Sequence, residues 1–140
     1  MQITYSEICK SIYATSALTT LNPESRLALL HPDHSDMLKT IVRDSMATII
    51  TTIPADLITS VRYDSESVSI TTSDKAHDTE RTKSAFVSAT TLVTLIQIKI
   101  AASDSPDAIL RLAGELPAIT RNLVDAISPK HRPARIRAPI

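Results

Sequence analysis

The chain has 140 residues, 43% of them hydrophobic but only 3% aromatic, and its fifteen Lys and Arg residues balance fifteen Asp and Glu. That length suffices for one domain with a core of its own, which must here be aliphatic. A lone cysteine, Cys9, excludes an intrachain disulfide, and a lone glycine, Gly114, excludes the phosphate loops, dinucleotide fingerprints and nucleophile elbows that need several positions without a Cβ.

Thr4 and Glu7 form a capping-box pattern, and Tyr5, Ile8, Cys9, Ile12 and Tyr13 follow at helical spacing, which predicts a first helix from about Thr4 to Leu18. Cys9 falls on its apolar face and reads as a small buried hydrophobe rather than a nucleophile. These first residues lack the basic start and long apolar run of a signal peptide, so a soluble, intracellularly made protein is expected. Asn22-Pro23-Glu24 supplies the start signals of a short helix to about Leu30, ended by His31-Pro32. The cluster His31, Asp33, His34 and Asp36 reads as a polar loop. Its proline breaks the turn that would set two imidazoles on one face, and no metal is expected.

Asp33 or Ser35 can cap the next helix, whose Leu38, Ile41, Val42, Met46, Ile49, Ile50 and Ile53 recur every three or four positions until Pro54 closes it. Its β-branched end, Thr48 to Ile53, has lower helix propensity than its start. Between about residues 58 and 72 the period changes to two: Val61 and Tyr63 alternate with Arg62, then Val68 and Ile70 with Ser67, Ser69 and Thr71. With Asp64-Ser65-Glu66-Ser67 as the turn, this predicts one two-stranded hairpin.

A hydrophilic linker, Ser73 to Arg81, includes His77-Asp78, for which a solvated position is expected. It leads into the strongest periodic segment: Phe86, Ala89, Val93, Ile96 and Ile100 form one stripe, widened by Leu92, Leu95, Ile98 and Ala102. A helix apolar over so much of its circumference belongs at the centre of a bundle or under a partner subunit. Ile96-Gln-Ile-Lys-Ile100 also alternates like a strand, and the length of the whole segment decides for helix. Its uncharged run, Ser84 to Ile98, is broken by Ser88, Thr90, Thr91, Thr94 and Gln97 and reads as too short and polar to cross a bilayer.

Ser105-Pro106-Asp107 gives cap, first-turn proline and acid for a last helix through Ile109, Leu110, Leu112, Leu116, Ile119, Leu123, Val124 and Ile127. Gly114 and Pro117 should interrupt it, as a kink or as two short helices. The fold class that follows is mainly α: residues 1–128 form a helical bundle with one small β-hairpin, and residues 129–140 form an extended basic tail rich in proline. The acids fall mostly near helix starts and no pair suggests a general acid and base, so no enzyme and no cofactor are expected.

The tail holds Lys130, Arg132, Arg135 and Arg137 with Ile136 among prolines and no acid, which leaves eleven cations against fifteen acids, a formal −4, in the body. An acidic body with a basic arm is complementary to further copies of itself. The same four cations would also give a nucleic acid modest, salt-sensitive affinity, so a small helical nucleic-acid-binding or regulatory module is the alternative reading.

The order of hairpin (Val61–Ile70), long aliphatic helix (Phe86–Ala102) and final helix (Ala108–Ile127) resembles small structural proteins of tailed bacteriophages or prophages, of the head–tail connector or neck-ring class. The resemblance implies a homo-oligomeric ring in the neck or tail of a virion, contacts with portal or other neck and tail proteins, and non-specific contact with DNA passing through the channel. It implies as partner-binding residues Lys130, Arg132, Arg135, Ile136 and Arg137 of the tail and Arg62, Tyr63 and Glu66 of the hairpin, and it involves no membrane.

Overall fold

The computed structural model describes residues 1–18, 35–101 and 105–129. They form β1 (Gln2–Thr4), α1 (Tyr5–Leu18), α2 (Ser35–Ile50), a 3-10 turn (Ala55–Leu57), β2 (Ile58–Tyr63), β3 (Ser67–Thr72), α3 (Glu80–Ala101) and α4 (Pro106–Ile127). The mainly α class with a small sheet is the expected one. The short helix expected over 24–30, the loop histidines and the tail from Lys130 onward lie outside the described residues.

β2 and β3 are the expected hairpin, in antiparallel register Val61↔Ile70, Arg62↔Ser69 and Tyr63↔Val68, with an irregularity between Ile58 and Ser60. The sheet, however, has three strands in the order β1-β3-β2, because Gln2, Ile3 and Thr4 pair with Ser69, Val68 and Ser67. A strand of three residues is too short to show a period of two, and Thr4 carries two signals at once. It ends β1, and its hydroxyl accepts the Glu7 N–H at 3.1 Å, which starts α1. Ile3, Val68 and Ile70 point from the inner face of the sheet into the core, whereas the edge strand β2 stays largely exposed.

α3 is the central element and lies against α1, α2 and α4. From Ala89 to Lys99 every side chain but Gln97 is buried, so the strand-like alternation of Ile96 to Ile100 is overridden by burial on all sides. Ile100, expected in the stripe, is 51% exposed where the helix leaves the core. At 22 residues, about 33 Å, and with its apolar composition, α3 is in fact long and apolar enough to cross a membrane. The sequence argument from length therefore fails, and packing replaces it: 61% of the most apolar window is buried inside the fold.

α2 stops at Ile50, three residues before the expected Ile53. The Thr51 and Thr52 hydroxyls each donate at 2.6 Å to the carbonyls of Thr48 and Ile49, and Thr52 and Ile53 N–H groups bond three residues back. Threonine side chains thus compete for the carbonyls that would continue the helix. α4, by contrast, runs unbroken through Gly114 and Pro117, so the expected division into two helices does not occur. Pro117 and Ala113, whose carbonyl loses its helical donor, are both exposed, so the missing bond leaves no polar group buried away from solvent.

Candidate interaction surface

The hairpin turn is fastened to two helices by polar groups. Tyr5, the first residue of α1, is 1% exposed. Its N–H donates to the Glu66 carbonyl at 3.0 Å and its hydroxyl donates to the Asp64 carbonyl at 3.2 Å. From α2, Arg43 Nε donates to the same Tyr5 hydroxyl at 3.2 Å while Nη2 reaches the Asp64 carbonyl at 3.4 Å, and the guanidinium lies 5.8 Å from the Tyr5 ring centroid. Donating this hydrogen bond to the Tyr5 hydroxyl stabilises the charged guanidinium and raises its pKa above the ordinary value. One turn earlier on α2, Lys39 Nζ pairs with Glu66 Oε1 at 3.2 Å, and within the turn Arg62 Nη2 meets Asp64 Oδ2 at 3.2 Å.

Exposed pairs of this kind add little stability singly. Their geometric effect is larger, because one turn is held from two directions by groups that share acceptors. What projects beyond it is the Arg62 side chain, 77% exposed, and Tyr63, 41% exposed. Consecutive in β2, the two side chains leave opposite faces of the hairpin end, and arginine and tyrosine are both enriched at protein interfaces.

Of the residues expected to meet partners, the structure brings Arg62, Tyr63 and Glu66 together at this tip, with Glu66 engaged by its own chain's Lys39. Lys130, Arg132, Arg135, Ile136 and Arg137 lie outside the described residues. Sequence reasoning missed Tyr5, Lys39 and Arg43. The spacing of Lys39 and Arg43 put two cations on one polar helix face, but nothing local tied that face to a turn more than twenty residues away.

Other chemistry-bearing residues serve the fold. Cys9 is half-buried, and burial raises its thiol pKa, with Lys39 opposing the effect only in part; such a thiol is a poor nucleophile at neutral pH. Asp78 pairs with the Met1 ammonium at 3.1 Å and Glu7 with Lys83 at 3.2 Å, across an open groove of about 470 Å³ between the start of α1 and the start of α3. His77, expected in solvent, is exposed, yet its backbone N–H donates to the Ile127 carbonyl at 2.8 Å and so closes the end of α4. Among the described residues no group of His, Cys, Asp and Glu is placed to hold a metal ion. Comparison with protein-family models, with curated proteins and with solved structures finds no match to this chain.

Proposed function

We propose that this protein is a non-enzymatic structural subunit of a homo-oligomeric ring, of the kind found in the head–tail connector or neck of tailed phages, made in the bacterial cytoplasm and incorporated into the virion. The observation that carries the reading is the braced hairpin tip. Tyr5 and Arg43 spend their polar groups on fixing the turn's backbone, and the turn then offers Arg62 and Tyr63 outward. Bracing lowers the entropy lost when a neighbour docks there. The basic arm from Lys130 to Arg137 supplies a second, electrostatic contact with the acidic body of the next copy or with a portal or tail protein. Ring closure repeats both contacts, so that individually weak ones accumulate.

Native mass measurement and sedimentation of the full chain test this. The expected result is a closed multimer that R62A/Y63A reduces in size and that deletion of residues 130–140 weakens in a salt-dependent way. A chain that stays monomeric at high concentration and whose tail instead binds DNA, with affinity falling steeply as salt rises, refutes the reading in favour of a nucleic-acid-binding module.

A further inference from the structure

α4 has two faces. Ile109, Leu112, Leu116, Ile119, Leu123 and Ile127 turn toward the core. On the opposite side Asp107, Leu110, Gly114, Pro117 and Arg121 follow at alternating spacings of three and four, and all five are exposed. Leu110, at 68%, is the most exposed large hydrophobic residue among those described. A Cβ added at Gly114 would meet nothing within 4 Å. Glycine there answers no need of its own chain and weakens the helix relative to alanine. A bare leucine followed on the same solvent face by two poor helix formers gives the helix nothing internally, but it suits close approach of a second helix.

The charges on that face decide which helix. Asp107 and Arg121 lie seven residues to either side of Gly114. Being fourteen residues apart, about 21 Å, they cannot meet within one helix. In a parallel pair of two copies each would face its own like. In an antiparallel pair crossing at Gly114, Asp107 of each copy meets Arg121 of the other, Leu110 falls against Ala118, and Arg111 comes alongside Glu115 on the flank.

We infer that α4 is a self-association surface, pairing antiparallel with α4 of a second copy about a two-fold axis at Gly114. The contact is isologous and closes on itself, so it stands apart from the ring contact proposed for the hairpin.

Charge reversal tests the pairing in the full-length protein, by sedimentation at low salt with melting curves to confirm folding. Asp107→Arg and Arg121→Asp should each weaken dimerisation about tenfold or more, since each reversal turns two attractive pairs into two repulsive ones. The double variant D107R/R121D should restore it to within about threefold, a rescue possible only between molecules. Gly114→Gln, which has open space in the single chain, should raise the melting temperature yet weaken the dimer about tenfold. If the single reversals associate like the parent, or the double is no better than the weaker single, the pairing is wrong. A dimer that persists in R62A/Y63A while larger assemblies vanish supports this surface separately from the hairpin; larger assemblies indifferent to the reversals, with no dimer found, overturn it alone.

Discussion

Two threonines on α3, both 0% exposed, should respond in opposite directions to the same substitution. The single Thr82 Oγ1 proton is shared between the His77 carbonyl, the nearer acceptor, and the Ala126 carbonyl at 3.2 Å, so one hydroxyl ties α3 to the segment before it and to the end of α4. Thr90 Oγ1 is buried with no hydrogen-bond partner among the described residues. Valine matches the shape of threonine without its hydroxyl. At Thr82 the change strands acceptors at a helix end, a loss of about 1–3 kcal/mol, offset in part by about 0.8 kcal/mol for the added buried methyl. The net expectation is about 1–2 kcal/mol of destabilisation. At Thr90 the change removes a hydroxyl that was desolvated without compensation, so valine should stabilise by about 1–2 kcal/mol.

In a domain of this size, about 3–4 °C of melting temperature accompanies each kcal/mol. Thr82→Val should therefore melt several degrees below the parent and Thr90→Val several degrees above it, in calorimetry or denaturant titration. The two sites are eight residues apart, about 12 Å along the helix, so the double variant should fall near the parent. Thr82→Ser, which keeps the hydroxyl and loses a methyl, separates bonding from packing and should cost less than Thr82→Val. Shifts of the same sign for the two valine variants, or a serine variant worse than the valine one, would refute the partner-based argument.

Tyr5→Phe keeps the buried ring but removes the hydroxyl that joins Asp64 and Arg43. It should cost about 1 kcal/mol and speed amide exchange at Asp64, whose N–H closes the turn by donating to the Ser67 carbonyl at 2.8 Å. Phe86→Ala, at the largest buried ring in α3, should cost about 3–5 kcal/mol in a denaturant titration. Because burial raises the Cys9 pKa in the folded chain, the neutral thiol is favoured there. Its contribution is complete below the unfolded thiol's pKa and is lost as pH rises through the higher folded value. Stability should thus fall more steeply above pH 9 in the parent than in Cys9→Ala, and alkylation at pH 8 should be slower in the folded chain than in urea.

Helix positions and the hairpin were legible because burial follows period. Leu38, Val42, Met46 and Ile49 are buried along one face of α2, and Val68 and Ile70 on one face of β3. Three features were not legible. β1 is too short to show periodicity, and its Ile3 was indistinguishable from the start of a helix. The unbroken course of α4 depends on Gly114 and Pro117 both facing water, and breaker residues do not announce which side they will occupy. The bracing of the hairpin joins Tyr5, Lys39 and Arg43 to Asp64 and Glu66 across separations of 21 to 61 residues. Sequence marked Arg62, Tyr63 and Glu66 as a turn with exposed groups, and only tertiary structure supplied what holds it.

The features that work against the stability of the single chain share a direction. The core spends its polar groups inward: Thr91 donates to Val87, Thr94 to Thr90, Thr120 to Leu116. Gly114 and Pro117 weaken a helix, while Leu110 and Tyr63 leave apolar surface in water, and all four are exposed. Among the described residues nothing requires them, since a Cβ at Gly114 has open space and the hairpin turn is held by Tyr5 and Arg43 rather than by Tyr63. Most substitutions at such positions could improve the isolated chain. On the proposals above, Gly114, Pro117, Leu110 and Tyr63 are kept for contacts a monomer cannot make, at the hairpin tip and the outer face of α4; Ile100, 51% exposed at the end of α3, lies on neither surface. Replacing Leu110 by Lys discriminates between these explanations. It should leave the melting temperature of the dilute monomer unchanged or slightly raised while lowering self-association, and a destabilised monomer would instead place Leu110 in service of its own fold.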